Sequence, residues 1–390
     1  MRRADRAFAI ATLASLAIVV LGPLQRRIEL IGEDDLSGIW AGPRAIATGH
    51  DPYDPETWRP LSVALGTQLF DTPVYIYPPW VAVPLLPLGF LPLPVVSILW
   101  LVASLAAALL ALRYALRLLL PARTGDHAVA PVALLLSWVG ILTLVLGQWG
   151  YLLVAALFTA VLAVRSGHAM LAGLAALAFL AKPQLFLLAA PAFAVHALWP
   201  ERPGGPPSRT GLRAVGIALA GALTLLAAGW ILLPSWWPTW AQIVLPQQTR
   251  PFSDTVPALL VTIIGGPGLV LAPIVVLVFT AVALQFHPRG LAWMAVWPVL
   301  SLLAAPYTNS YDQILLIVPV LLAAGVLHAR DPGRSRAVLR AGAAVLLVAT
   351  PVMYWIALMR HSETFGAIVS LTIFAIVTAS LWRYRRDPTA

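Results

Sequence analysis

The chain has 390 residues, of which 60% are hydrophobic and only 11% charged, with a net charge of +9 and a mean hydropathy of +0.86. No water-soluble core absorbs that much apolar surface, so most of the chain is expected to meet lipid. Cysteine is absent, which excludes disulfides, thiol nucleophiles and Cys-ligated metals. The positive charge is almost all arginine in short loops, which reads as membrane topology rather than as a surface for nucleic acid.

"MRRADR" followed by an apolar run at 7–23 has the outline of a signal peptide. It lacks an A-x-A site and continues into "LGPLQRR", so an uncleaved first membrane helix is expected. Further apolar runs follow at 78–91, 93–120, 129–147, 150–164, 169–181, 184–199, 212–233, 257–286, 291–305, 313–328, 338–359 and 364–382. "GGPG" at 265–268 is expected to split the over-long 257–286 run. Strand alternation is missing and backbone groups in lipid must pair within the chain. An all-α polytopic integral membrane protein follows, with about 12 spans. The Pro/Gly-rich "ERPGGPPSRTG", 201–211, is taken as a cytoplasmic linker between an N-terminal membrane module, 1–200, and C-terminal helices, 212–390.

The basic loops "MRRADR", "VRSGH", "WPERPGGPPSRTGLR", "HPRG", "HARDPGRSRAVLR" and "WRYRRD" are assigned to the cytoplasm. One conflict remains: a hairpin of 78–91 with 93–120 would put "RYALRLLLPARTGDH" outside, against its charge. The fault is expected within 78–130.

The long first outside loop, 24–76, is unlike the rest of the chain. Eight of the sixteen acids fall between Glu29 and Asp71. Asp35, Ile39, Gly42, Ile46 and Gly49 share one face at three- and four-residue steps, which predicts an interfacial helix with Asp35 in its first turn. Pro43 is expected to kink it or to begin a second helix, Gly49 to end it, and "HDPYDP" to form a turn. Trp40 and Trp58 are expected at headgroup level.

Asp35, Trp40, Ala41, Arg44 and Ala45, then "TGHDPYD", then "YIYPPWVAVPLLPLGFLP" resemble the opening of glycosyltransferase family 87. "GQWGYLLVAAL" at 147–157, "LAKPQLFLLAAP" at 180–191 and "APYTNSYDQILLIVP" at 305–319 continue the resemblance over most of the chain. It implies a GT-C-type bundle in the plasma membrane, typified by polyprenyl-phosphate-mannose-dependent α-mannosyltransferases. The active site would lie on the extracytoplasmic side, in a cavity completed by the C-terminal helices. Asp35 would be the general base that deprotonates an acceptor hydroxyl, with inversion at the sugar. A carboxylate at a water–lipid boundary has its pKa drawn upward, which suits that task. The partners implied are a polyprenyl-phosphate-linked sugar donor, a glycolipid, glycan or protein acceptor, and membrane lipids. Nucleic acid is not among them.

Other residues join the list. Asp34 is the neighbour that a one-residue shift would select, and a helix cap or a solvated acid is the plain alternative for either aspartate. Lys182 is the only lysine and lies in an apolar stretch, where an ionisable residue marks function by default. As a compact cation beside helix-breaking Pro183 it would neutralise a donor phosphate, or else it snorkels to the interface. Arg44 is a second phosphate candidate or a surface-helix residue, and Gln148 a sugar contact or a helix-to-helix hydrogen bond. Many family members read S-P-x-S-W-x-H in the third outside motif. Here Asn309 takes the Trp position and Tyr311 the His position, while Asp312 is read first as a helix cap, then as a sugar contact or a partner of Lys182. Tyr53 and Tyr77 are further loop candidates. Trp236, Trp237 and Trp240 form an aromatic belt or a stacking face. The seven histidines are scattered and no D-x-D triplet occurs, so neither a metal nor a cofactor is expected. A transporter or lipid flippase is the competing class, disfavoured because the ionisable residues other than Lys182 gather in loops rather than mid-span, and more weakly by the lack of an evident internal repeat. A non-catalytic membrane subunit is the third.

Overall fold

Almost every apolar run folds as helix, and no strand occurs among the described residues. A computed structural model describes residues 3–31, 34–66, 73–121, 124–199, 206–247, 253–387 and 389. Glu33, Asp71 and half of the expected 201–211 linker lie outside these.

By length and composition, six helices among the described residues can cross a membrane: Arg3–Leu21, Leu93–Leu119, Arg209–Leu232, Ser310–His328, Pro332–Arg360 and Glu363–Tyr384. A seventh is the pair Gly125–Leu136 and Trp138–Val145, bent by 49°. Six shorter apolar helices accompany them: Pro79–Gly89, Gly150–Arg165, Ala169–Ala181, Ala189–Leu198, Pro267–Ala283 and Leu291–Ala304. The short helices 150–165 and 291–304 are nearly wholly buried, and with 317–328 they form the centre of the bundle. Helices 209–232 and 267–283 lie at the periphery and expose Leu223, Ile231 and Val270 (65%, 80% and 70%), side chains suited to lipid. The 257–286 run breaks as expected, at Gly265.

The 78–120 hairpin does not form. Residues 79–89 are a broken helix (Pro79–Ala82, a 3-10 turn, Leu86–Gly89) packed against the loop helix that carries Asp35. Helix 93–119 then brings Arg117 and Arg113 to within 2.8 and 3.6 Å of Asp5 in the first helix, α1 (Arg3–Leu21). "RYALRLLLPARTGDH" therefore shares an end of the molecule with "MRRADR". Tyr114 meets Ser166 of "VRSGH" at the same end. The charge conflict in the sequence disappears with the hairpin that created it.

The loop between α1 and residue 79 contains α2 (Pro23–Glu29), α3 (Asp35–Ala47) and α4 (Pro55–Ala64). One expectation about it is narrowed and another is corrected. Helix α3 runs through Pro43 without starting a second helix. Proline has no N–H to give the carbonyl of Ile39, and the hydroxyl of Tyr75 supplies that missing donor at 3.1 Å. Gly42 makes room for it, since a Cβ there would meet the Tyr75 ring at 2.4 Å. Nor do Trp40 and Trp58 sit among headgroups: both are buried, at 6% and 2%. The Trp40 indole donates to the carbonyls of Leu88 and Leu91, at the end of the broken 79–89 helix. Most of α3 is packed inside protein rather than laid on a surface.

Candidate active site

The two neighbouring aspartates have different environments. Asp34 is the N-cap of α3: it is buried, and its Oδ1 accepts from the backbone N–H of Ser37 at 3.0 Å. Burial pushes its carboxyl up to about 6, against the opposing charge of Arg27. Asp35 points the other way. Its Oδ2 accepts from Nε2 of Gln148 at 2.5 Å, and the same amide nitrogen lies 3.1 Å from the hydroxyl of Tyr311. Nδ2 of Asn309 donates to that hydroxyl at 2.8 Å. Burial raises the Asp35 carboxyl above its ordinary range. The Gln148 hydrogen bond and the charge of Lys182 work against that rise, and the charge of Asp312 adds to it.

Gln148 reaches Asp35 because α3 is pinned to the turn before it. The N–H of Leu36 donates to the carbonyl of Leu146 at 3.1 Å. Gly147 follows with φ +66°, and a Cβ there would meet Leu36 Cβ at 2.6 Å. Only a residue without a side chain allows so close an approach at that angle.

Lys182 occupies an extended break between two 3-10 turns. Its Nζ is 2.7 Å from Oδ1 of Asp312 and 4.5 Å from the centre of the Tyr311 ring. Asp312 does two things that the sequence offered as alternatives. It pairs with Lys182, and its Oδ2 accepts from the N–H of Asn309 at 3.1 Å within a reciprocal capping box. A lysine so enclosed does not snorkel.

Asp35, Gln148, Lys182, Asn309 and Tyr311 are thus brought together, with Asp312 as a sixth member. The Tyr77 ring packs on that of Tyr75, and burial and then the charge of Asp35 push its phenol well above the usual range. Arg44 is not brought there. It lies nine residues along α3 from Asp35, about 13 Å of helix, and donates to the carbonyl of Gly89 at 3.0 Å. Tyr53 is buried and braces the loop, its hydroxyl donating to the carbonyl of Tyr77. Trp236 is core, packed on Tyr53 and Trp80, while Trp237 is 46% exposed and Trp240 donates to the carbonyl of Ile76.

The sequence of glycosyltransferase family 87 matches residues 75–306, more than half of the chain. The chain belongs to glycosyltransferase family 87. It is therefore read as a membrane glycosyltransferase, a hexosyltransferase. No curated protein matches the chain. Within the matched stretch lie Tyr77, Gln148 and Lys182, whereas Asp35 and the 309–312 segment flank it on either side.

Two acids beside this cluster were not singled out in the sequence. Glu363 Oε2 accepts from the N–H and Oγ of Ser310 at 2.9 and 3.0 Å. Asp254 Oδ2 accepts from Nε2 of Gln313 at 2.9 Å, and the Asp254 N–H donates to the carbonyl of Thr308. Burial, and then the charge of Glu363, raise the Asp254 carboxyl well above its usual range. The scarcity of acids outside the first loop was the one available signal for both. Among the described residues no group of three or more His, Asp or Glu is placed to hold a metal ion.

Proposed function

We propose that this glycosyltransferase moves a sugar, mannose in the first instance, from a polyprenyl-phosphate donor to a hydroxyl of a cell-envelope acceptor. The observation that carries the reading is the Asp35 carboxylate, partly buried, fixed by Gln148 and close to a single enclosed lysine. Asp35 takes the acceptor's proton while the acceptor oxygen attacks C1 of the sugar. The bond from C1 to the phosphate oxygen breaks with its electron pair on the phosphate, and the anomeric centre inverts. A carboxylate whose pKa is raised is a stronger base than an exposed one.

Lys182 is the phosphate contact in this scheme. One of its three N–H bonds serves Asp312 and the ammonium rests on the Tyr311 face, which leaves donor capacity for a leaving phosphate. Gln148, Asn309 and Tyr311 orient Asp35 and offer polar edges to sugar hydroxyls. The acidic end of the bundle faces away from the cytoplasm in the plasma membrane, and the basic loops gather on the cytoplasmic side.

Transfer from a lipid-phosphate donor by purified protein tests the proposal. Asp35→Asn keeps the shape and removes the base, so turnover should fall by ~10²–10⁴-fold. Asp34→Asn should retain it. Near-normal turnover by Asp35→Asn would retire the assignment. Turnover should also persist in excess chelator, and rescue only by an added divalent ion would move the loop acids to the role of metal ligands.

A further inference from the structure

Arg27 is the most enclosed arginine among the described residues, 2% exposed, and the mechanism above makes no use of it. In "LGPLQRR" it reads as an ordinary flanking charge next to a membrane helix. In the fold its side chain turns inward from α2. Nη1 donates to the carbonyl of Leu144, and Nη2 donates to Oγ of Ser97 at 3.1 Å. The guanidinium also lies against Gly147, where a Cβ would meet Nη1 at 2.9 Å and Nη2 at 3.0 Å.

Each contact falls beside the machinery. Leu144 is in the last turn of helix Trp138–Val145, where its carbonyl also accepts the N–H of Gly147 at 3.2 Å and a positive charge meets the negative end of the helix dipole. The next residues are Leu146, which receives the N–H of Leu36, then Gly147, then Gln148, which holds Asp35. Ser97 belongs to helix 93–119, so the arginine ties that helix to the same turn. Asp34, the cap of α3, is attracted to the Arg27 charge. A planar fork with several fixed donors can make these contacts at once, which a flexible ammonium cannot.

The geometry points to Arg27 as a positioning residue that sets the approach of Asp35 to Gln148 through the 144–148 turn. It touches neither partner directly and acts on the spacing between the α3 N-terminus and that turn. The inference rests on the reading of Asp35 and Gln148 as a working pair.

Two readouts separate positioning from bulk stability. In Arg27→Met, hydrogen exchange over residues 34–40 of the unliganded protein should quicken, because the Leu36 N–H loses its fixed acceptor, while exchange over 317–328 stays slow. Turnover should fall by roughly tenfold to a hundredfold, as misplacement of a reacting group does, with donor KM within about twofold. In a Gln148→Leu background, adding Arg27→Met should cost little more, since the pair it positions is already broken. Arg27→Lys should recover part of the rate, and it serves as the test variant where Arg27→Met does not fold. Unchanged exchange over 34–40, or a full additional rate loss in the Gln148→Leu background, would overturn the assignment. If Asp35→Asn were active while exchange over 34–40 still responded to Arg27, the base reading would fall and the positioning contact would stand.

Discussion

The ammonium of Lys182 and the carboxylate of Asp312 meet at 2.7 Å with side chains only 5% and 1% exposed. A pair so enclosed is costly to break from one side, because the survivor stays charged and buried. Lys182→Met should therefore destabilise the protein by about 3–5 kcal/mol as well as weaken donor binding. Lys182→Met with Asp312→Asn removes both charges, and Asn keeps the ability to cap. The double variant should regain much of the stability but not the transfer. Thermal unfolding and donor affinity on the same preparations separate the two effects. Wild-type turnover by the double variant would remove Lys182 from the donor site.

Gln148→Leu should move the acid limb of the rate profile. The base works only when ionised, so turnover is lost as pH falls through the pKa of Asp35. Gln148 holds that pKa down against burial. Without its N–H the limb should shift to higher pH, together with a loss of rate at neutral pH. A limb that stays in place would mean that the group titrating there is not Asp35.

Asp34 gives the opposite kind of pH effect. Its folded-state pKa is raised to about 6, so between the unfolded value and that figure the folded protein holds more protons than the unfolded chain. Stability then falls as pH rises through this window. Asp34→Asn preserves the cap and cannot ionise. It should melt higher than wild type at pH 7.5, with the difference closing toward pH 4. A variant less stable than wild type at pH 7.5 would contradict the assignment of Asp34 as a mainly structural cap.

Topology can be read on a chain with no natural cysteine. Glu56→Cys, on exposed α4, should react with an impermeant thiol reagent in intact cells. Arg336→Cys, in the first turns of helix Pro332–Ala344 within the basic "HARDPGRSRAVLR" segment, should react only after the membrane is opened. The reverse pattern would invert the placement of the site.

Helix positions were legible in the sequence because apolar runs and their breakers are local signals. Gly265 and Pro183 marked real interruptions. Pro43 began no second helix, and its missing hydrogen bond is replaced by Tyr75, a residue far along the chain that no local window contains. The burial of Trp40 and Trp58 was hidden for a similar reason: tryptophan suits both a headgroup layer and a core. Asp35, Gln148, Lys182 and Tyr311 could be picked from motifs, yet only the fold shows Gln148 touching Asp35 and Lys182 facing Tyr311. Arg27, Asp254 and Glu363 carried no motif. Their roles come from burial and from contacts distant in sequence, which composition does not encode.

The chain order of the six converging side chains has a consequence for biosynthesis. Asp35 leaves the ribosome first, and its hydrogen-bonding partner at 148 follows only after several apolar segments have been made. Lys182 comes next, and its counter-ion at 312 arrives when most of the protein is already in the membrane. During insertion the lysine travels without a carboxylate, at a cost that favours leaving its short, broken helices undocked until the 309–312 segment arrives. Synthesis that stops early leaves an inert scaffold. Under the proposed mechanism, competence for chemistry is conferred almost at the end of translation, so an incomplete copy consumes no sugar donor.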